Sequence, residues 1–357
     1  MKTRKQQTKN NKRAGFLLKF EILRHDGPAR LGRLVLEDLE LLTPCMVEHT
    51  PRGARLVDLE KGVEIPLVRG KPPEQGFLLA DTPTIPYTQT PLTPRLVNLY
   101  EEKLSSLTNH KNLGVHLPIL EDSKKMCLLL QACKNVKPLL VVLSNIQQVY
   151  NKPRKLVSTL TTIRKHLGPG VLVYTPLTPP HLIPLLLYLS VDLVDNLEVG
   201  IASSKGLWIH PLRDETEPEP PTCGCQACTL GTSSPHQHNQ IITKNLLIYA
   251  REMISKGQLR DLVEQWSTHS ERVYTSLRAA DMEQKEFLEG YTSPRKNVRI
   301  FCVSTHSLTR PEVTTWHNRV LSRYTPNKEF PLLLILPCTK KKPYSTSKTH
   351  RTLNKIL

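Results

Sequence analysis

Between residues 113 and 196, short apolar runs alternate with segments of helical pattern, and that alternation limits the fold more than any other feature. LGVHLP (113–118) precedes a helix-like run over Ser123–Cys133, and PLLVVLSN (138–145) precedes the 153–167 segment, which stops before Gly168–Pro169–Gly170. VLVYT (171–175) precedes a leucine-rich stretch from His181 to Leu189, and VDLVDN (191–196) closes the series. Apolar strands joined by helical crossovers imply a parallel sheet, most economically a (β/α) barrel. In such barrels the chemistry collects where the strands end, which draws attention to Asp192, Asp195 and Asn196. A lone aspartate at a strand end is as often a helix cap.

Ahead of this region the rhythm is different. Residues 1–15 form a polar basic arm, beginning MKTRKQQTKNNKR, which reads as a solvated tail or an RNA-touching segment. From Phe16 the pattern is β-like: FLLKFEIL, a turn at Asp26–Gly27–Pro28, then RLGRLVLEDLELLTP. Antiparallel strands are expected over roughly residues 16–70. With 29 prolines against 16 glycines, many turns must be proline-set. The passage DTPTIPYTQTPLTP ends this part.

Lysine and arginine outnumber aspartate and glutamate 49 to 32, a formal charge of +17. A surplus of that size suits a polyanionic partner, nucleic acid first, because neutralised phosphates release counterions. No apolar run approaches the roughly 18–20 residues of a membrane span, and the N-terminus lacks a signal-type apolar segment. A cytoplasmic protein with no membrane partner is expected, and its eight cysteines read as thiols or metal ligands. Cys45, Cys127, Cys133 and Cys302 are isolated and read as core thiols. Lys244, Arg251, Lys256 and Arg260, on an expected helix over 238–265, read as a solvated face or an RNA-facing stripe. Arg310 and Arg319, flanking Trp316, are better placed to stack on bases.

TCGCQACTLGTSSPHQHN (222–239) carries Cys223, Cys225 and Cys228 at C-x-C-x2-C spacing, with His238 opening a helical pattern. One tight loop can supply three thiolates to a tetrahedral ion, and four protein ligands leave no open position, so a structural zinc ion is expected. Gly224 is expected to permit the turn between the first two cysteines. His236 is the rival fourth ligand.

The closing stretch, LLLILPCTKKKPYSTSKTHRTL (332–353), places a thiol, cations, a phenol and an imidazole after an expected buried strand, Leu332 to Leu336. Such a strand tip reads as an active-site loop. The alternative is a basic tail.

These features together resemble the tRNA-guanine transglycosylase superfamily. Ala29–Arg30–Leu31–Gly32 after the aspartate–glycine turn, and Thr43–Pro44, resemble that family's opening, and VDLVDN resembles the strand bearing its nucleophile, which falls on Asp195. The Cys3His set is similar to its structural zinc site, with a shorter interval before the histidine. That interval, with Ser307–Leu308–Thr309–Arg310–Pro311–Glu312–Val313 and Trp316–His317, points to the archaeosine synthase branch. The signature P-C-x3-K-P-Y-x2-S-x2-H is met at Pro337, Cys338, Lys342, Pro343, Tyr344, Ser347 and His350.

The resemblance implies an α/β chain: a TIM-like barrel of transglycosylase type over 16–290, its zinc subsite near 222–239, then the start of a small α/β domain over 295–357. It implies an activity that adds an amine, lysine, to the nitrile of 7-cyano-7-deazaguanine in the D-arm of tRNA, with a radical-SAM partner cleaving the adduct. Cys338, Lys342, Tyr344, Ser347, His350 and Asp195 are the implied catalytic set. The chain departs from true transglycosylases where ADTPTIP (80–86) replaces the glycine-rich general-base segment, so base exchange from Asp195 is the lesser alternative. It stops seven residues after His350, which implies a second subunit bringing the rest of the α/β domain and a PUA domain. The other alternative is a tRNA-binding module without activity.

Overall fold

The computed structural model describes residues 18–36, 38–70, 76–84, 93–107, 112–210, 213, 216–231, 234–293, 299–302, 304–326, 329 and 334–356. The basic arm of residues 1–15 lies outside them, as does the start of the closing apolar run. The chain divides into two compact units, one ending at Thr315 and one running from Trp316.

In the first unit, β1 (Lys19–Asp26), β2 (Ala29–Leu36) and β3 (Leu39–Thr43) make an antiparallel sheet. Gly27, at φ +60°, forms the turn that Asp26–Gly27–Pro28 predicts. Gly32 has a different cause: a Cβ there would lie 2.3 Å from the Phe20 ring.

Next come β4 (Cys45–Thr50), β5 (Gly53–Val57), β6 (Glu64–Arg69) and β7 (Phe77–Leu79), then α1 (Thr93–Ser105), β8 (Leu113–Leu117), α2 (Ser123–Val136) and β9 (Leu140–Leu143). The series continues with α3 (Pro153–Leu167), β10 (Leu172–Tyr174), α4 (Ile183–Tyr188), β11 (Leu193–Asp195) and α5 (Leu197–Ser204). Strands β4 to β11 close an eight-stranded barrel, and the chain is a mixed α/β fold. The strand–helix alternation of residues 113–196 is as the sequence predicts. Of the antiparallel strands expected over roughly residues 16–70, β4, β5 and β6 are staves of the barrel itself. They form an antiparallel meander, and β4 pairs in parallel with β11, Val47 opposite Asp195. Local pattern carries no trace of a pairing between segments so far apart in sequence.

Alternation along each stave divides its side chains between two cores. Cys45, Val47, Ile65, Leu67, Phe77, Leu79, Leu140, Val142, Leu172, Tyr174 and Leu193 fill the barrel, joined by Leu34, Leu36 and Leu41. Met46, Val115, Leu117, Val141, Leu143, Val173 and Val194 face the helical layer. Truncating a fully buried member such as Leu193 to alanine costs about 2–5 kcal/mol.

Below the mouth, Asp192 is a structural acid. Arg30 grips it through two hydrogen bonds of 2.6 and 2.7 Å, Arg164 adds a third at 3.1 Å, and all three residues are buried. The Ala29–Gly32 motif thus carries a buried anchor and a packing constraint. This removes Asp192 from the acids expected at the strand C-terminal ends.

The chain continues through β12 (Trp208–Ile209), β13 (Thr216–Glu217), α6 (Gln226–Thr229), α7 (Pro235–Lys256), α8 (Leu259–Ser267), α9 (Glu271–Glu283), α10 (Lys285–Tyr291) and α11 (His306–Thr309). The expected helix over 238–265 is two, because Gly257 at φ +72° ends α7. Arg251 and Arg260 are buried, so neither lies on a solvated stripe. Arg260 makes a bidentate pair with Asp281, both contacts 2.7 Å, and bonds Glu264 at 2.9 Å. Ser307 donates to Glu264 at 2.8 Å, Thr309 donates to Asp281 at 2.6 Å, and the fully buried Arg310 pairs with Asp261. These ties belong to the first unit, which runs to Thr315. Arg310 is an internal tie and does not face outward toward RNA. Cys45 and Cys133 are buried thiols as expected, whereas Cys127 and Cys302 are exposed.

Helix α12 (Pro311–Arg323) leads to the second unit, which ends in a 3-10 turn at Tyr344–Thr346 and α13 (Lys348–Ile356). The described part of the run expected as a buried strand is unpaired chain with Ile335 86% exposed. A strand exists only through its ladder, and none of the described residues pairs with it.

Candidate functional site

The staves of the barrel end around a cavity of about 860 Å³ in the first unit. Its wall takes His49 from β4, Arg69 from β6, His116 from β8 and Tyr174 from β10, with Ser144 just past β9. Asp195 ends β11 but is fully buried and is not among the lining residues. Its carboxylate accepts four donors: the Tyr174 hydroxyl at 2.7 Å and the backbone N–H groups of Leu177 at 2.9 Å, Thr178 at 3.2 Å and Leu197 at 3.3 Å. Burial raises the Asp195 carboxyl above its ordinary value, while those hydrogen bonds pull it down.

Tyr174 has one proton, and burial pushes its phenol well above the usual range, so that proton is donated to Asp195. The His49 ring nitrogen Nε2, 2.9 Å from the Tyr174 oxygen, must then donate to it. Burial, with the Arg69 cation adding to it against the pull of Asp195, lowers His49 and keeps it neutral. His116 is brought down to about 4 by burial first and by Arg69 second. Two buried acceptors on this wall, Ser144 Oγ and Gln147 Oε1, have no hydrogen-bond partner among the described residues.

The metal-type cluster is built by α6 and α7. Ser234 caps α7 by accepting the Gln237 N–H at 3.3 Å, which fixes the phase of the first turn. That phase buries His238 completely and leaves His236 exposed beside Gln240. Nδ1 of His238 lies 3.5 Å from Cys225 Sγ and 3.3 Å from Cys228 Sγ. Its Nε2 is 2.9 Å from the Ile209 carbonyl, to which it donates, leaving Nδ1 free to ligate. The donor atoms of Cys223, Cys225, Cys228 and His238 all lie within 4.8 Å of one another, a span a tetrahedral thiolate–imidazole site fits. Gly224 is not in the left-handed region, so its expected role in the turn is not what the backbone needs; Gly231, at φ +67°, follows the end of α6.

In the second unit the side chains of the closing stretch converge. Cys338 Sγ lies 3.2 Å from the Tyr344 hydroxyl, and the Lys342 ammonium is 5.7 Å from the centre of the Tyr344 ring. Tyr344 stacks on His350, centroids 4.8 Å apart and planes 5° from parallel. Ser347 accepts the His350 backbone N–H at 3.1 Å, capping α13, and its hydroxyl is 3.0 Å from Nδ1 of the same residue. Donation to Nδ1 leaves the ring proton on Nε2. The hydrogen bond and charge of Cys338 push the Tyr344 phenol up, so it holds its proton at neutral pH. Five of the six expected catalytic residues therefore form one chain of contacts, while Asp195 belongs to the first unit.

Sequence reading missed His49, Arg69, His116 and Tyr174. Their common signal is a polar residue near the end of an apolar run, as in LGVHL and VLVYT.

Among the described residues, no helix is long and apolar enough to cross a membrane. A family model described as "Domain of unknown function (DUF5591)" matches residues 313–357. The archaeosine synthase subunit alpha of Thermococcus kodakarensis is 28% identical over 335 residues, 93% of this chain and 53% of that protein. The archaeosine synthase subunit alpha of Methanosarcina acetivorans is 26% identical over 93% of this chain and 56% of its own length. The archaeosine synthase of Haloferax volcanii is 26% identical over 93% of this chain and 54% of its own. The chain is similar to archaeosine synthases along nearly its whole length, and it spans about half the length of the curated relatives it matches.

Proposed function

We propose that this chain is a tRNA-modifying transferase of archaeosine biosynthesis, adding lysine to the nitrile of 7-cyano-7-deazaguanine in the D-arm of tRNA. The observation that carries the reading is the convergence of Cys338, Lys342, Tyr344, Ser347 and His350, in a chain similar to archaeosine synthases over 93% of its length. The eight-stranded barrel serves as a TIM-like scaffold of transglycosylase type. Zinc is the metal for the Cys3His set, and its role there is structural. Two relatives are named as a subunit alpha, which supports a second polypeptide; in this reading it brings the remaining α/β domain and a PUA domain. A radical-SAM protein processes the product, and the work is cytoplasmic.

A nitrile carbon is electrophilic but slow to react, and its nitrogen must gain a proton as the triple bond opens. The Cys338 sulfur adds to that carbon while Tyr344 protonates the nitrogen, giving a thioimidate; the thiol proton passes to Tyr344 across the 3.2 Å contact. The lysine amine then adds to the same carbon, the carbon–sulfur bond breaks, and an amine proton returns to the sulfur, leaving an amidine. His350, stacked on Tyr344 and held by Ser347, orients the phenol. Lys342 positions its ring or a tRNA phosphate. Base exchange is not proposed, because Asp195 is fully buried and already accepts four donors.

The test is Cys338→Ser in the complete assembly. The covalent route requires loss of turnover and of any acid-trapped protein–tRNA adduct, and near-normal turnover by the variant would rule it out.

A further inference from the structure

We propose that the mouth of the barrel is an oxyanion site, at which Arg52 and Arg69 hold a phosphate or carboxylate group over the cavity. This inference does not depend on the nitrile chemistry.

The cavity lining is cationic. Arg52, Arg69, His49 and His116 line it, and no aspartate or glutamate is among its described lining residues. Two acids act on the cavity's histidines, Asp81 on His116 and Asp195 on His49, and Asp195 has its acceptor positions filled by the protein. Arg52 and Arg69 also differ from several other arginines of the same unit. Arg30, Arg55, Arg164, Arg260 and Arg310 each meet a carboxylate. Even Arg55, three residues from Arg52, is held by Glu64 at 2.7 Å. The Arg52 and Arg69 side chains, by contrast, make no ion pair or hydrogen bond with any described residue. Both are exposed, so they meet a ligand without first giving up a partner.

Guanidinium groups match the planar geometry of phosphate and carboxylate oxygens with paired N–H donors. The cavity below, at about 860 Å³, has room for the organic body attached to such a group, against Leu67, Leu79 and Val142. Two sources share this chemistry: a backbone phosphate of RNA and the carboxylate of a free amino acid. Burial and Arg69 already act on His49 and His116, so an anion bound at Arg69 is felt by both rings.

The probe is inorganic phosphate, titrated calorimetrically into the full chain at constant ionic strength. Saturable binding is expected, weakened at least about tenfold in Arg52→Gln/Arg69→Gln, with the variant's Tm in phosphate-free buffer unchanged. Lys124→Gln/Lys134→Gln, two exposed charges on α2, should bind phosphate as the parent does. Binding should also raise the His116 pKa, followed by NMR, in the parent but not in the arginine pair variant. Displacement of phosphate by tRNA identifies the backbone source; displacement by L-lysine but not by cadaverine, which lacks the carboxylate, identifies the amino-acid source. Absence of saturable binding, or equal binding by the arginine pair variant, overturns the proposal.

Discussion

Tyr344 lies flat on His350, their planes 5° from parallel, with the Tyr344 hydroxyl turned to Cys338 at 3.2 Å. Ring and hydroxyl therefore do separate things, and Tyr344→Phe separates them. The variant keeps the stack and loses the proton donor. Turnover is predicted to fall about 10²–10⁴-fold with tRNA affinity unchanged. Single-turnover rates beside a binding isotherm check this, and an unchanged rate removes the phenol from the chemistry.

Metal loss should act on stability and only indirectly on chemistry. Thiolates must shed protons to ligate, so the site is predicted to release its ion on acidification or to a strong chelator. Cys228→Ser or His238→Ala should lower bound zinc from about one per chain to none and lower Tm, while His236→Ala does neither. Elemental analysis with thermal melts decides between the two histidines.

His116 gives the barrel a pH dependence with a defined sign. Its ordinary value is 6.5 and burial with Arg69 brings it to about 4, so between these values the unfolded chain binds more protons. Its contribution is present above pH 6.5 and is lost as pH falls through about 4, at most about 3 kcal/mol. His116→Gln should flatten the stability profile over that window. Arg69→Gln should raise the His116 pKa and narrow it. Urea melts at a series of pH values test the first, and NMR titration the second; parallel profiles for parent and His116→Gln would contradict the assignment.

Asp192 is held by two guanidinium groups in the interior, so breaking the set strands charge. Asp192→Ala or Arg30→Ala is predicted to cost about 3–5 kcal/mol. If denaturant melts gave an unfolding free energy lower by less than about 1 kcal/mol, burial would have been relieved by a rearrangement.

What the sequence disclosed depended on how local each interaction is. Cys223, Cys225 and Cys228 sit within six residues and His238 one helix start later, so spacing alone identified the set. The helical pattern that His238 opens favours it over His236, and the phase of α7, set by the Ser234 cap, puts His238 beside the thiols. The alternation over 113–196 disclosed the parallel staves, yet not that Cys45–Thr50 pairs with Leu193–Asp195 to close the barrel. The cavity was illegible for the same reason, since its histidines, arginines and tyrosine come from separate staves. Arg260 and Arg310 look like surface cations in sequence, and their buried partners, Asp281 and Asp261, appear only in three dimensions. In the stretch Ser307–Val313, the side chains of Ser307, Thr309 and Arg310 bond acids of α8 and α9.

The most direct test is nucleoside mass spectrometry of tRNA carrying 7-cyano-7-deazaguanine after incubation with lysine, this chain and the companion polypeptide proposed above. The cyano nucleoside is predicted to gain the mass of one lysine, and Cys338→Ser to abolish the gain. An unchanged nucleoside with the complete assembly, or incorporation of labelled guanine in its place, would contradict it.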